Sequence, residues 1–400
     1  MSRTPDVRFK GFEKEWEHHS LRDFGSVAMC KRIFKDQTNS DGDIPFYKIG
    51  TFGGDPDAYI SKDLFEQYRN AFPYPEKGDA LISASGSIGR TVVFDGKPSY
   101  FQDSNIVWLK HDNRITNPFL AQLYHVVNWG GLEGSTIKRL YNENILNTET
   151  DIPEIDEQKT IACFLTNLDT LIEQNQSEVD RLRNLKKAML LKMFPQKRSK
   201  VPEIRFKGFS GDWETKKLGN MASFSKGSGY SKSDLAESGV PVVLYGRMYT
   251  NYRTVITDVD TFAEPKSGAV YSSGGEVVVP ASGETAEDIS IASVISHPGI
   301  IIGGDLNVIT PSAELDPVFL ALAISFGSAH NEMAMRAQGA SIFHLHNSDL
   351  MTINLMFPEK DEQLVIGQYF QNLDSLIEQR QSNTDRLRHL KQAMLQRMFV

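Results

Sequence analysis

The chain has 400 residues, 40% hydrophobic and 24% charged, with a formal net charge of −8. That length exceeds one ordinary core and predicts two or three domains, and the acidic balance excludes a protein that coats nucleic acid by bulk attraction. No run approaches the ~18 apolar residues of a membrane span, MSRTPDVRFKGFEKEW lacks a signal peptide's apolar core, and Cys30 and Cys163 make no metal or redox spacing, so a reducing, cytoplasmic setting is expected.

The motif PDVRFKGFEKEWE (residues 5–17) leads into a mixed region. There DIPFYKIGTF (43–52), DALISASGSIGRTVVF (79–94) and SNIVWLK (104–110) predict short strands around Gly-Ser turns. The stretch ASGSIGRT (84–91) invites a phosphate-loop reading and fails it. Ala84 stands where the first Gly is needed and Arg90 where the Lys is needed. The VVF that follows predicts a strand, whereas a phosphate loop must open a helix. Gly86-Ser87-Ile88-Gly89 also fits the GxxG clamp of a KH domain, but two glycines three apart are a weak signal. A turn between strands is predicted instead, as a candidate DNA contact. Asn117-Pro118 predicts a helix N-cap followed by Pro at the first helical position.

A long helix follows. Ile161, Leu165, Leu168, Ile172, Asn175, Val179 and Leu182 step 4-3-4-3-4-3, a heptad seam, after which the apolar set shifts to Leu185, Met189 and Met193. Asp156 is a candidate cap and Pro195 closes the run. At 1.5 Å per residue, about 38 residues give a rod of roughly 57 Å. Residues 159–200 carry nine Lys/Arg against four Asp/Glu.

The plan then repeats. PEIRFKGFSGDWE (202–214) returns the first motif at an offset of 197, and residues 358–399 return 153–194 at an offset of 205, with 26 identities in 42 positions. Between them VPVVLYGRMY (240–249), GEVVVPASG (275–283) and DLNVIT (305–310) predict strands, and Asp316-Pro317 a second capped helix, in a strongly acidic stretch. Ala84-Ser85-Gly86 aligns with Ala281-Ser282-Gly283, Asp103 and Asn105 with Asp305 and Asn307, and residues 134–137 with 339–342. The second seam is Ile366, Phe370, Leu373, Ile377, Arg380, Thr384, Leu387, Leu390, Met394 and Met398, with Asp361 at its start.

A period near 200 is far too long for a solenoid. It predicts two domain-sized repeats with pseudo-two-fold character: a first domain at 1–152, a first long helix at 153–197, a second domain at 198–357 and a second long helix at 358–400. Two similar helices are the simplest partners for each other. Polar seam positions Asn175, Arg380 and Thr384 are then expected to fix register. His344 and His346 have no neighbouring Cys or acidic third ligand and make a poor metal site. No G-x-S-x-G, H-E-x-x-H or dinucleotide fingerprint is present. Two divergent domains on a rigid spacer suit the reading of two DNA half-sites about 34–36 Å apart, or multiples of that.

PEIDEQKTIACFLTNLDTLIE and PEKDEQLVIGQYFQNLDSLIE, the LRxLKxAMLxxMF helix ends and GDALISASGSIGR resemble the conserved regions of type I restriction-modification specificity (S) subunits, the HsdS family. The resemblance covers essentially the whole chain, and the duplicated Pro-x-x-x-Glu-Gln-x-x-Ile opening is its most specific element. It implies two tandem α/β (α+β) target recognition domains, separated by two long α-helices packed as an antiparallel coiled coil. Each domain would read one half of a bipartite asymmetric site in double-stranded DNA. The resemblance also implies a subunit without a catalytic centre or metal. It would recruit two methyltransferase (M) subunits, which use S-adenosylmethionine on adenine, and restriction motor-nuclease (R) subunits, which use ATP and Mg²⁺.

Arg and Lys favour guanine, and Asn and Gln favour adenine. The candidate DNA-binding residues are Lys31, Arg32, Ser85, Gly86, Ser87, Arg90, Lys138, Arg139 and Tyr141 in the first domain. In the second they are Arg247, Tyr249, Ser282, Gly283, Glu284, Thr285, His344 and His346. Arg90→Ala or Arg247→Ala is expected to weaken specific binding by about 1–3 kcal/mol. Two rival readings are a self-sufficient DNA methyltransferase or nuclease, for which Asn117-Pro118-Phe119 lacks the second Pro of the adenine-methylase motif, and a coiled-coil scaffold with no DNA role.

Overall fold

The computed structural model describes residues 3–130, 138–196, 199–337, 339 and 342–400. The equivalence expected between 134–137 and 339–342 lies outside the described residues for the whole of the first stretch and for half of the second. The chain forms two compact units, Met1–Gln176 with Ser382–Val400, and Ser177–Gln381, so each long helix is divided between them.

In the first unit four strands run in the order Gly25–Met29, Ile106–His111, Ala80–Ser83, Thr91–Val93, all antiparallel to their neighbours. Residues 80–83 and 106–109 of the central strands are buried because both faces are covered there. Their period of two sorts side chains into two cores. Ile82, Val107 and Leu109 join Phe119, Leu120 and Leu165. Leu81, Ile106 and Trp108 join an aromatic cluster of Phe46, Phe65, Phe94, Tyr100 and Phe101. That second cluster carries the small sheet Tyr59–Ile60, Ile44–Tyr47, Tyr100–Phe101.

The second unit repeats this plan on different residues. Ala222–Lys226, Leu306–Pro311, Glu276–Pro280 and Ser293–Ile295 form the same antiparallel series, with Val255–Ile256 added in parallel at the edge. Val277 and Val279 face Phe319 and Leu320, while Val278 and Val308 face Val243 and Ile256.

The duplicated motifs fasten a long helix to each domain. Arg8 donates from Nε and Nη2 to the two oxygens of Glu157, both at 2.7 Å, and Arg205 does the same to Glu362 at 2.7 and 2.6 Å. Gln158 donates to the carbonyls of Arg114 and Pro153 and accepts from the Thr116 amide; Gln363 makes the same three bonds with Glu314, Pro358 and Asp316. All four Glu and Gln side chains are buried. The Glu-Gln pair at each helix start is therefore a docking element.

The far ends of the helices are fastened with equal symmetry. In the first unit Val7 N–H donates to Arg397 O at 2.9 Å, and Phe399 packs against Trp16 and Phe119. In the second unit Ile204 N–H donates to Lys192 O at 2.9 Å, and Phe194 packs against Trp213 and Phe319. Each domain thus holds the start of one helix and the end of the other.

The helices are Ile155–Lys192 and Lys360–Met398. Within each unit their segments run antiparallel and meet through reciprocal polar pairs. Lys391 meets Asp169 and Arg388 meets Gln176 in the first unit; Lys186 meets Asp374 and Arg183 meets Gln381 in the second. Ile161, Leu165 and Leu168 reach the first domain's core, and Ile366 and Phe370 the second's. Val179, Leu182 and Leu373 are buried, and Ile172, Ile377 and Leu387 half-buried.

Three expectations need correction. Asp156 and Asp361 lie inside the first turn rather than capping it, where their charge still complements the helix N-terminus. Leu185 and Leu390 are exposed at 40% and 41%. Lys186 and Lys391 continue the heptad instead, covering apolar surface with their stems while their ammonium groups meet Asp374 and Asp169. Of the polar seam positions, Thr384 is buried, half-buried Asn175 donates to Leu171 O of its own helix at 2.8 Å, and Arg380 is exposed. The ion pairs of Lys186 and Lys391 are a further means of holding register. At the domain helices, Asp316 caps as expected, accepting from Phe319 N–H. By contrast Thr116 takes the cap position and Asn117 opens the helix, because its amide bridges Asp79 and His111.

Burial pushes the Cys30 thiol up to about 12, whereas Cys163 is exposed. Iodoacetamide at pH 8 should therefore alkylate Cys163 and spare Cys30 until denaturant is added, as peptide mass mapping will read. Equal labelling of the two would show that the aromatic core opens.

Candidate nucleic-acid interface

The strand Ala80–Ser83 runs into the turn of residues 84–90 and returns as Thr91–Val93. Ser83 organises the turn: its Oγ donates to Ser87 O and accepts from Arg90 N–H at 2.9 Å. Gly89 has φ +80°, and a Cβ there would lie 2.8 Å from Trp129 Nε1, so only glycine fits. This is the predicted inter-strand turn, with no helix behind it.

Two further segments join it at the same end of the sheet. Leu140 N–H donates to Ala84 O at 2.8 Å and Ser85 bridges to Arg139. Ser85 Oγ donates to Asn105 Oδ1 at 2.7 Å, and Arg32 Nε to Asp103 at 3.0 Å. Lys31, Arg32, Gly86, Ser87, Lys138, Arg139 and Tyr141 are exposed there. Ser85 is buried in its bond to Asn105, whereas Arg90 is exposed and donates from Nη1 to Phe52 O at 2.8 Å.

The second domain builds the same junction. Ser282 pairs with His344 and Gly283 with Phe343; Leu345 N–H donates to Ala281 O at 3.0 Å and Asn307 Nδ2 to Leu345 O at 2.8 Å. A Cβ on Gly283 would lie 2.3 Å from Ile289 Cγ2, which explains the glycine. Exposed His344 and His346 stand with parallel rings, centroids 6.4 Å apart, at the positions of Arg139 and Tyr141. Glu284 and Thr285 are exposed beside them.

Arg247 and Tyr249 sit on a short helix, Tyr245–Thr250, where a strand was expected. The Arg247 side chain is only 9% exposed, ion-paired with Asp260 and donating to Asp258 O at 3.3 Å. It is a brace. Tyr249 donates to Ser282 O at 2.7 Å; burial, with Asp288 and Asp305 nearby, pushes its hydroxyl above the ordinary phenol range, so it stays a donor.

Sequence reasoning passed over Phe34 and Lys35, exposed on the loop that carries Lys31 and Arg32. The signal was an aromatic residue between basic ones, KRIFK. The two ends differ in charge: Lys31, Arg32, Lys35, Lys138 and Arg139 mark the first, and Glu284, Glu287, Asp288 and Asp305 the second. Among the described residues no group of three or more His, Cys, Asp or Glu could hold a metal ion, and no helix is long and apolar enough to cross a membrane.

Residues 13–182 and 210–385 each match the family model for a type I restriction modification DNA specificity domain. A Haemophilus influenzae protein bearing the name type I restriction enzyme specificity subunit S.HindORF215P is 52% identical over 177 residues, 41% of this chain and 46% of that protein. The chain thus spans less than half the length of that relative. The type I restriction enzyme MjaVIII specificity subunit of Methanocaldococcus jannaschii is 23% identical over 339 residues, 80% of this chain and 77% of that one. The crystal structure of the type I restriction-modification S subunit from M. genitalium shares the fold, with a TM-score of 0.65 at 14% identity over 99% of both chains.

Proposed function

The chain belongs to the type I restriction modification DNA specificity family, and from that premise we propose that it is the sequence-reading, non-catalytic subunit of a restriction-modification complex. Each domain presents its junction end to one half of a bipartite, asymmetric site in double-stranded DNA, and the long helices set the spacing. One observation carries this reading. The same backbone junction is built twice with different exposed side chains, Arg139 and Tyr141 in one copy and His344 and His346 in the other. A shared scaffold with divergent tips is what two unlike half-sites require.

Recruitment of methyltransferase and restriction subunits belongs to the same proposal. Exposed Leu171 and Leu390 in the first unit match Leu376 and Leu185 in the second, giving two equivalent apolar positions for two identical partners. S-adenosylmethionine, ATP and Mg²⁺ would be held by those partners, as would the chemistry.

Methylation mapping in cells that express the chain with its cognate subunits tests the reading, with one split asymmetric motif expected. Arg139→Ala should relax discrimination at a position in one half only, costing about 1–3 kcal/mol of specific binding. A continuous palindromic motif, or methyl transfer by the purified chain alone, would overturn the proposal.

A further inference from the structure

Among the described residues of the first domain, Phe34 is the most exposed large apolar side chain. Phe34 is 56% exposed, at the tip of a loop that a flexible tether would not hold so firmly. Its N–H donates to Gln37 Oε1 at 2.9 Å, Thr38 Oγ1 donates to Lys35 O at 2.8 Å, and neighbouring Ile33 packs on the aromatic core. Arg32 Nε ties the loop to Asp103, next to the turn and the Arg139 segment. The ring therefore stands at the recognition end, on the loop that also carries Lys31, Arg32 and Lys35.

The second domain has the same loop without the ring. At the offset of 197, KRIFKDQ becomes SGYSKSD. Lys232–Asp234 repeats the short turn of Lys35–Gln37, and Ser231 N–H donates to Asp234 Oδ2 at 2.8 Å where Phe34 N–H donates to Gln37. Phe34 is thus replaced by Ser231, Arg32 by Gly229 and Lys31 by Ser228, on an unchanged backbone device. The aromatic is not needed to build the loop.

We propose that Phe34 is a wedge that enters a base step of the half-site read by the first domain, a device the second domain lacks. Exposed apolar side chains held among phosphate-binding cations unstack a step and bend the duplex. A docking patch for a protein would instead be contiguous and apolar, whereas this ring shares its loop with charged side chains. The groove beside it is lined by Arg32, Lys35, Asn39, Lys48 and Gln102, and by Asp103 and Asp57, which pair with Arg32 and Lys48; its donors suit a sugar-phosphate strand. Pyrimidine–purine steps unstack most easily, so the first half-site should contain one at the wedge and tolerate its replacement poorly, even where no side chain reads the bases.

This inference rests on the DNA-reading role, and the test separates the two. The full chain is assembled with its methyltransferase partners and bound to duplexes carrying 2-aminopurine at each step of each half-site in turn. An emission rise is expected at one step of the first half-site, apart from the methylated adenine. Phe34→Ala should abolish it and weaken specific binding on the order of 10-fold, with Phe34→Leu retaining part of both. Intact specific binding with no Phe34-dependent rise overturns the wedge and leaves the DNA-reading role standing. Loss of subunit assembly in Phe34→Ala, with the step's emission unchanged, assigns the ring to a protein contact and also overturns it. A complex that prefers no duplex at all removes the DNA-reading role, and the wedge with it.

Discussion

Arg205→Ala should destabilise the second unit by about 3–5 kcal/mol. Glu362 is 1% exposed and both its oxygens are taken by this one guanidinium. Removing the arginine leaves a desolvated carboxylate without its counter-charge, and the cost is that of stranding a charge rather than of losing a contact. Replacing both members, Arg205→Met with Glu362→Leu, should recover most of the loss, since neither charge is then stranded. Urea unfolding of the full chain reads this, because Trp213 reports on the second unit and the other three tryptophans on the first. Arg8→Ala should do the same to the first unit through Glu157. A loss below about 1 kcal/mol, in the range of exposed ion pairs, would show that water reaches the carboxylate and that the helix root is held by packing alone.

The repeats explain why so much was legible. Runs such as DALIS and GEVVVP, bounded by glycine and polar turns, marked the central strands. The heptad steps from Ile161 to Leu182 marked the helix, and the paired offsets of 197 and 205 marked two copies of one plan. What spacing does not reveal is which long side chains are already engaged. Arg247 looks free in sequence because Asp260 is 13 residues away; only the fold brings them together. Ser85 reads as a surface polar residue and is buried because Asn105 satisfies its hydroxyl. The step to Leu185 chose the apolar residue over Lys186, since a lysine whose stem is buried and whose charge meets Asp374 looks like any surface lysine until its partner is in view. The recognition ends follow the same logic. Their scaffold is written in glycine and strand patterns that both copies share, while their chemistry sits in residues that differ, Arg139 against His344 and Phe34 against Ser231.

Phe399→Ala should destabilise the first unit, although it lies almost 400 residues from that unit's opening motif. The ring is 9% exposed, stacked on Phe119 at 5.3 Å and edge-on to Trp16 at 6.2 Å. Truncation removes its buried area and leaves a cavity between two aromatic residues that cannot collapse together, a loss of about 3–5 kcal/mol. Unfolding followed by tryptophan emission should show the first-unit signal shifting to lower urea while Trp213 keeps its wild-type midpoint. Phe194→Ala should give the mirror result, since Phe194 fills the same place against Trp213 and Phe319. The functional consequence follows from which domain each ring supports. Phe399→Ala should blur only the half-site read by the first domain in a methylation map, and Phe194→Ala only the other. Loss of both half-sites together from either change would show that the two domains do not fold and read as separate units, and would count against the division of labour proposed for them.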